Sequence, residues 1–371
     1  MKVYIWGAGN FGQYVYKQLK TKCEIKQIRF VDQNSEMWDK KVDDIIVLSP
    51  SQLEEQYQDG DVILIAFING IQLFMNIYQK PYRIGMLRNK FFKAKREFCL
   101  HWMEDPCLLW NDSKWLINKP MLYKLETNIV DGCNLNCRGC SHFSNLFSQQ
   151  DKIPFTTYRK DLKKIADNLY IYQFNMLGGE ALLNKDIIDY IEYTSEIMPE
   201  TEIILITNGL LIPKMSKDFF ECCKKNDVTI AISGYKPTLK LKDSIMEVLN
   251  DHEVDYNFRR DVSDFGKNID LKGENEPEIA VTRCRENNCH FLRQGRIYKC
   301  PFEALGNKFF SHFNLNIRLS GGVDIYQDDL DWRMVANNLC NKPVDACRYC
   351  GKEERIEWKN ATEPVIEDWI V

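Results

Sequence analysis

The order of hydrophobic and polar positions predicts an α/β protein. Beyond residue 121, short apolar runs alternate with segments in which apolar residues recur every three or four positions, so the runs are predicted as strands and the segments as helices. The predicted strands are 122–129, 173–176, 202–206, 228–232 and 254–258, and the predicted helices lie near 156–170, 184–197, 214–225 and 239–250. Such regular alternation implies parallel strands joined by right-handed crossovers. We therefore expect a partial (β/α)6 barrel of the TIM type over 121–275, with its chemistry on the loops that follow the strands.

The N-terminal 84 residues show a second, shorter α/β pattern. In order, it consists of an apolar run, a glycine turn, a helical segment and an apolar run ending at an acid: 2–6, Gly7-Ala8-Gly9-Asn10-Phe11-Gly12, 13–19, 27–31 and Asp32. This order is typical of dinucleotide-binding units, in which phosphates lie at the helix N-terminus and the acid binds a ribose hydroxyl. It predicts a small Rossmann-like domain over 1–84 with Gly7, Gly9, Gly12 and Asp32 as candidate nucleotide-binding residues. A turn that only packs the helix on the strand is equally consistent, since the domain is short.

The remaining segments differ in composition. Residues 85–120 combine lysines and arginines with phenylalanines and tryptophans, and we expect a linker with an amphipathic helix rather than a phosphate-binding patch. After residue 275 the alternation stops, and glycine, asparagine and cysteine become frequent. We expect 276–371 to be a separate loop-rich domain.

Composition narrows the functional class. The 371 residues are 44% hydrophobic and 27% charged, which excludes a disordered chain or a fibrous rod. The net charge of −4 argues against a nucleic-acid or membrane-surface partner. No apolar run reaches the roughly 18 residues of a membrane span, and the N-terminus lacks the layout of a secretion signal, so we expect a cytoplasmic protein. The 14 cysteines are then predicted to include metal ligands rather than disulfides.

Three of these cysteines follow the first predicted barrel strand at the spacing C-x3-C-x2-C. They are Cys133, Cys137 and Cys140. Three thiolates on one short loop can hold three irons of a cubane cluster and leave the fourth iron open to a small molecule. A structural zinc site fits poorly, because such sites prefer C-x2-C pairs and four protein ligands.

The stretch CNLNCRGC resembles the signature of radical S-adenosylmethionine (radical SAM) enzymes, and later strand ends match further motifs of that superfamily. The resemblance implies a [4Fe–4S] cluster on the three cysteines, S-adenosylmethionine bound to it, and a 5′-deoxyadenosyl radical that removes a hydrogen atom from the substrate. It also implies cofactor contacts from the residues at the strand ends: Gly178, Gly179, Glu180, Thr207, Asn208, Ser233 and Arg259 or Arg260.

One position departs from the superfamily pattern. The residue before the third cysteine, usually an aromatic residue near the adenine, is Gly139. We expect His142 or Phe143 to make that contact instead.

The tail resembles the auxiliary-cluster extension of radical SAM enzymes, the SPASM or shorter twitch domain. The resemblance implies one auxiliary [4Fe–4S] cluster with the ligands Cys289, Cys300, Cys347 and Cys350. Cys284 fits almost as well as Cys289, Cys340 is a reserve ligand, and a four-thiolate zinc site is the alternative.

The N-terminal segment is similar to small nucleotide-binding-like domains of bacterial polysaccharide-biosynthesis enzymes. This likeness implies a sugar nucleotide or glycan intermediate as the small-molecule substrate. The expected electron donor is a flavodoxin or ferredoxin. The alternatives are a peptide-modifying radical SAM maturase and, less favoured, a non-enzymatic zinc-binding protein.

Overall fold

The structure, a computed structural model, describes residues 2–22, 27–58, 60–66, 83–86, 90–91, 98–99 and 119–371. The chain divides into two compact units, Met1–Met121 and Leu122–Val371. Most of the expected linker and its basic, aromatic helix at 85–120 lie outside the described residues. Within the described ranges, no helix is both long and apolar enough to cross a membrane.

The N-terminal unit contains a six-stranded sheet in the order β3-β4-β2-β1-β5-β6. Its strands are β1 Val3–Trp6, β2 Ile28–Val31, β3 Lys41–Val42, β4 Ile45–Leu48, β5 Val62–Ile65 and β6 Arg83–Met86. The helices α1 and α2 span Asn10–Lys22 and Pro50–Gln56, and β7 Lys90–Phe91 pairs with β8 Phe98–Cys99. Every pairing in the six-stranded sheet is parallel except β3 with β4. A core of buried apolar side chains that includes Ile5, Val15 and Phe30 joins α1 to the sheet.

The larger unit repeats strand and helix in the predicted order. Its strands are β9 Met121–Val130, β10 Tyr170–Gly178, β11 Glu202–Thr207, β12 Thr229–Gly234, β13 Tyr256–Asp261, β14 Asp264–Ile269, β15 His290–Arg293, β16 Arg296–Tyr298, β17 Val323–Asp324 and β18 Cys350–Glu357. Its helices are α3 Phe155–Asn168, α4 Ile187–Ile197, α5 Lys217–Lys225, α6 Lys236–Leu239, α7 Lys242–Asp251, α8 Pro277–Thr282, α9 Pro301–His312 and α10 Trp332–Asn341.

Eight strands of this unit form one sheet in the order β13-β12-β11-β10-β9-β15-β16-β17. The strands β10 to β13 pair in parallel and follow the chain order, as the sequence predicts. A sixth parallel strand, β15, pairs with β9 at the other side, with His290 opposite Leu125. The strand β15 then turns through Gln294 and Gly295 into the antiparallel strand β16. Residues of the expected separate tail domain therefore extend the same sheet.

The last part of the chain packs beside the loop that follows β9. The strand β18 pairs antiparallel with β14, and Ile370 pairs with Ile269. A second core, rich in aromatic residues, gathers Phe143, Phe291 and Phe309 with Trp369. The C-terminal segment is therefore part of the structure that holds the cysteine triplet.

Candidate cluster and cofactor site

The cysteine triplet lies on the loop after β9, where two strand ends approach closely. The amide of Gly179 donates to the carbonyl oxygen of Val130 at 2.9 Å, and the amide of Glu180 donates to that of Gly132 at 3.0 Å. A Cβ atom at Gly179 would overlap the Gly132 carbonyl. Glycine is therefore required at this point, which explains in steric terms the Gly-Gly pair before Glu180.

An ion pair from β15 fixes the first residue of that loop. The guanidinium of Arg293 binds both carboxylate oxygens of Asp131, at 2.7 and 2.9 Å, and the two side chains are only 14% and 6% exposed. The amide of Asn128 also donates to Asp131 at 3.2 Å. A two-point contact of this kind sets both the position and the orientation of the carboxylate. The cysteine loop therefore starts from a fixed point.

The three thiols occupy an apolar setting with a few donors aimed at sulfur. The Leu135 amide lies 3.3 Å from Sγ of Cys133, and the indole nitrogen of Trp358 lies 3.1 Å from Sγ of Cys137. The Cys140 thiol instead donates to the hydroxyl oxygen of Ser144, 3.5 Å away. The surrounding side chains are mostly apolar or aromatic: Leu135, Leu210, Tyr235, Val262, Trp358 and Phe265.

Burial raises the pKa of the Cys137 thiol to about 12 and also raises the pKa of Cys133. Thiols in such surroundings keep their protons until a metal displaces them. Iron–sulfur clusters use thiolate ligands on short loops, and the N–H groups around sulfur are the usual support for such a centre. The residues present therefore fit a cluster.

Glu180 connects the strand ends rather than facing solvent. It is fully buried, and its Oε1 accepts hydrogen bonds from the Thr207 hydroxyl at 2.7 Å and the Leu182 amide at 2.9 Å. Its Oε2 accepts from the Asn208 amide at 2.8 Å. Burial raises the pKa of Glu180, and these hydrogen bonds act in the opposite direction. The structure thus joins the predicted motifs at the ends of β10 and β11 through one carboxyl group.

Asn208 extends this connection to the cysteine loop. Its side-chain amide donates to Oδ1 of Asn134 at 2.6 Å and lies 3.7 Å from Sγ of Cys133. Its backbone carbonyl accepts from the Thr238 hydroxyl at 2.6 Å. Three of the predicted contact residues, Glu180, Thr207 and Asn208, therefore form one network beside the triplet.

The predicted residues on β12 and β13 lie at the next two strand ends. Ser233 accepts the Tyr235 amide at its carbonyl, and the Tyr235 ring packs on Trp358 with centroids 5.6 Å apart. Arg259 and Arg260 are exposed. Burial lowers the pKa of His142 to about 4, and the positive charge of Arg259 acts in the same direction. Ser233 and Arg259 therefore lie on the adjacent strands β12 and β13.

The position before the third cysteine requires glycine here. Gly139 has a φ of +62°, and a Cβ atom there would lie 2.7 Å from the carbonyl oxygen of Asp368. His142 and Phe143 were the two residues expected to contact the adenine instead. The expectation for Phe143 is wrong, because that side chain is 2% exposed and packs against Phe309 and Trp369. His142 is held by Asn128, with Nδ1 3.1 Å from the amide oxygen.

A polar row on β9 leads towards this loop. Lys124, Glu126 and Asn128 alternate along the strand and so share one face of the sheet. Glu126 is 7% exposed and accepts a hydrogen bond from Asn175 of β10 at 2.7 Å. Burial raises its pKa, and the Asn175 hydrogen bond opposes that rise. The sequence pattern did not single out this row, because a buried strand was expected to be apolar.

The tail brings four cysteines to one small cavity. Its lining includes Cys284, Cys300, Cys347 and Cys350, whereas the predicted ligand Cys289 lies elsewhere, 3.9 Å from Nζ of Lys124. Burial raises the pKa of Cys350 to about 12. As the side chains stand, no three His, Cys, Asp or Glu residues of the described ranges form a compact group around one ion position.

Two further residues explain the surroundings of that cavity. Lys299 lines it, is 2% exposed and donates from Nζ to the Leu339 carbonyl at 2.6 Å. Burial lowers the pKa of Lys299, and the neighbouring thiols oppose this effect. Cys340, the reserve ligand, instead lies 3.7 Å from Nε2 of the buried His290. No local pattern in the sequence distinguishes Lys299 from the other lysines, so it was not predicted.

Hydrogen bonds to Asp32 and close contacts between its own glycines hold the glycine turn of the N-terminal unit in place. The carboxylate of Asp32 accepts the amide of Ala8 at 2.8 Å with one oxygen and the amide of Asn34 at 2.9 Å with the other. Gly7 has a φ of +121°, and a Cβ atom at Gly12 would overlap the Gly7 carbonyl. At Gly9 a Cβ atom would meet nothing within 4 Å. Gly7, Gly12 and Asp32 therefore shape the turn itself.

Comparison with known proteins finds a family match over the segment that contains this site. Residues 127–256 match the family model of the radical SAM superfamily, and residues 1–77 match the family described as C2185-like, N-terminal. Among curated proteins, the GTP 3′,8-cyclase of Thermodesulfovibrio yellowstonii is 33% identical over 98 residues, or 26% of this chain and 30% of that protein. The GTP 3′,8-cyclase of Crocosphaera subtropica is 21% identical over 254 residues, or 62% of this chain and 72% of that protein.

For the first five curated relatives, the matched part covers 30 to 39% of the relative's own length. Among solved structures, BtrN in complex with AdoMet and 2-DOIA is 15% identical, with a TM-score of 0.40, over 63% of this chain and 94% of that one. The matched segment 127–256 carries the cysteine triplet, Glu180 and Asn208. Residues 127–256 therefore form a radical SAM domain.

Proposed function

We propose that this protein cleaves S-adenosylmethionine reductively at a [4Fe–4S] cluster held by Cys133, Cys137 and Cys140, and uses the 5′-deoxyadenosyl radical to remove hydrogen from a small molecule. The observation that carries the proposal is the position of the three thiols. They share one loop at a strand end, in an apolar setting, beside the network of Glu180 and Asn208.

The chain's own residues prepare the site. When bound, the cluster supplies the electron that breaks the sulfonium C–S bond. The close approach of Gly179 and Gly132 gives backbone groups access to the cofactor, and Glu180 holds Thr207 and Asn208 in place for it. We place Ser233 and Arg259 at its ribose and carboxylate, because both lie at neighbouring strand ends and a guanidinium suits a carboxylate. The finer architecture that we propose for this sheet is the partial (β/α)6 barrel.

We further propose an auxiliary [4Fe–4S] cluster in the tail cavity, with Cys284 in place of Cys289 beside Cys300, Cys347 and Cys350. All four line the same cavity. The buried ammonium of Lys299 supports a centre with net negative charge, since an ion without a counter-charge is costly inside a protein. One basic residue therefore offsets the charge of the thiolates.

The substrate that we propose is a hydroxyl-rich or phosphate-bearing small molecule. The polar row Lys124, Glu126 and Asn128 offers charged and hydrogen-bonding groups on the face that leads to the cysteine loop. A sugar nucleotide carries hydroxyl and phosphate groups that can pair with this row, whereas the relatives named GTP 3′,8-cyclase carry the name of GTP, which is not a sugar nucleotide. A peptide substrate is the alternative. A reduced flavodoxin or ferredoxin is the proposed electron donor.

For the N-terminal unit, we propose that the glycine turn packs α1 on the sheet rather than holding a nucleotide. Both carboxylate oxygens of Asp32 already bind backbone amides, and Gly12 is required by its contact with Gly7. Isothermal titration with NAD and with a nucleoside diphosphate sugar distinguishes the two roles.

Anaerobic reconstitution tests the catalytic proposal directly. With iron, sulfide and S-adenosylmethionine, addition of dithionite should yield 5′-deoxyadenosine, measured by chromatography, and the protein should hold about eight irons in two clusters. The matched control omits the reductant. Absence of 5′-deoxyadenosine from a protein with a full iron content would overturn the proposal.

A pair of single substitutions tests the tail ligands. Cys284→Ala should lower the iron content from about eight to about four per chain, because an auxiliary cluster lacking one of its four thiolates is not retained. Cys289→Ala should leave the iron content unchanged, since that thiol lies beside Lys124 instead. Iron and sulfide analysis measures both. If Cys289→Ala lowers the iron content and Cys284→Ala does not, Cys289 is the ligand and Cys284 is not. If the native protein contains zinc in the tail, the site is a four-thiolate zinc site and not an iron–sulfur cluster.

A further inference from the structure

The C-terminal segment Trp358–Trp369 is bonded to the cysteine loop along its length. Asn136 and Ala361 exchange two hydrogen bonds of 2.5 Å, and the Arg138 amide donates to the Lys359 carbonyl at 3.0 Å. The guanidinium of Arg138 also binds the carboxylate of Asp368 at 2.6 Å. These contacts fix the segment against the loop at several points. A side chain on this segment can therefore hold a constant geometry to a cysteine.

Trp358 is such a side chain. Its indole Nε1 lies 3.1 Å from Sγ of Cys137, and the residue is 5% exposed. Its backbone amide donates to the Ser263 carbonyl at 2.8 Å, and its ring packs on Tyr235. An indole N–H can only donate, so the hydrogen bond must run from Trp358 to the sulfur. Hydrogen bonds to an ionised acceptor are roughly twice as strong as neutral ones, so this bond strengthens when Cys137 is a thiolate.

We propose that Trp358 raises the reduction potential of the cluster held by Cys133, Cys137 and Cys140. The inference rests on the proposed function. A reduced cluster places more negative charge on its sulfurs than an oxidised one, so an N–H aimed at a ligand sulfur stabilises the reduced form more. Trp358 is a positioning residue that acts through Cys137, and it lies outside the segment 127–256 that matches the superfamily.

A second tryptophan supplies a matched control. Trp369 also belongs to the C-terminal segment and is 3% exposed, but its indole donates to the backbone carbonyl of Cys140, at 2.9 Å, and not to a sulfur. Trp358→Phe and Trp369→Phe each remove one indole and one hydrogen bond to the same loop. Only the first removes a bond to a cluster ligand.

The experiment is a reductive titration of the reconstituted protein followed by electron paramagnetic resonance. Both variants and their parent carry Cys300→Ala and Cys347→Ala, so that the triplet cluster alone gives the signal. Trp358→Phe should shift the midpoint to a more negative potential, with about a three- to tenfold lower ratio of reduced to oxidised cluster at a fixed potential, as expected for losing a net hydrogen bond of about 1 kcal/mol. Trp369→Phe should titrate like its parent.

The outcomes separate this inference from the proposed function. Equal iron contents with identical midpoints in parent and Trp358→Phe would overturn the role of Trp358 while leaving the cluster intact. Absence of iron at the triplet in the parent protein would instead overturn the proposed function. If Trp358→Phe loses iron through local unfolding, incorporation of 3-benzothienylalanine at position 358 keeps the bicyclic shape and removes only the N–H. If the midpoint reduction potential of that protein equals the midpoint of its parent, the inference is likewise contradicted.

Discussion

Replacing Cys133, Cys137 and Cys140 together by alanine is expected to abolish 5′-deoxyadenosine formation completely and to leave about four of the eight irons. In the proposed function the three thiolates are the protein's ligands to the cluster that cleaves the cofactor, and the tail cavity holds a separate set of cysteines. Loss of activity and half-loss of iron should therefore occur together. Chromatography of the nucleoside and iron analysis after anaerobic reconstitution measure the two effects.

A buried cysteine elsewhere provides the control for that triple variant. Cys222 on α5 is 6% exposed and belongs neither to the cysteine triplet nor to the four cysteines that line the tail cavity. Cys222→Ala should keep both the iron content and the activity. Retained 5′-deoxyadenosine formation in the triple variant, or complete loss of its iron, would contradict the assignment of two independent clusters.

Arg293→Ala is expected to lower the free energy of unfolding by about 3–5 kcal/mol, because it leaves the carboxylate of Asp131 buried without its counter-charge. Both oxygens of that carboxylate are bound by the guanidinium, and Asp131 is 6% exposed at its side chain. The loss acts at the start of the cysteine loop. Denaturant unfolding, compared between the variant and the parent at the same iron content, measures the difference.

An exposed ion pair of similar length shows what burial contributes. Lys152 binds Asp186 at 2.8 Å, but the two side chains are 45% and 52% exposed. Lys152→Ala should change the stability by less than about 1 kcal/mol. Adding Asp131→Asn to Arg293→Ala should restore part of the loss, because the charge left without a partner is removed. An Arg293→Ala effect as small as that of Lys152→Ala would show that the buried pair is not important for stability.

The sequence was sufficient for the elements whose signals are local. Five parallel strands and the order of motifs at their ends follow from the alternation of apolar and helical segments, and the structure has them in that order. The pairing of β15 with β9 was not predicted, because a strand of only four residues carries too little periodicity to indicate its place in a sheet. Its pairing with β9 depends on residues about 165 positions apart, as the Thr127 hydrogen bond to Leu292 shows.

The same distinction applies to the site: residues with a local sequence signal were predicted, and residues whose role depends on distant parts of the chain were not. Cys284 and Cys289 fit the expected ligand set almost equally well in the sequence, and only the structure separates them: Cys284 lines the tail cavity, whereas Cys289 lies beside Lys124. Trp358 is 221 positions from Cys137, and nothing in its neighbouring sequence marks it as a donor to sulfur. Phe143 was expected at the adenine because it lies near the triplet in sequence, but packing against Phe309 and Trp369 outweighs that proximity.

The pairing of β15 with β9 also limits how this chain can be divided. Cutting the chain after residue 275 would remove β15, leave one side of β9 without hydrogen-bond partners, and take away the arginine that binds Asp131. A long unpaired strand edge is a template for aggregation. Exchange of tail segments between relatives would therefore have to carry the hairpin 290–298 with the core. That hairpin is not the end of the unit either: β17 continues the sheet, and the C-terminal segment is bonded to the cysteine loop, so the residues that hold the triplet extend from β9 into that segment.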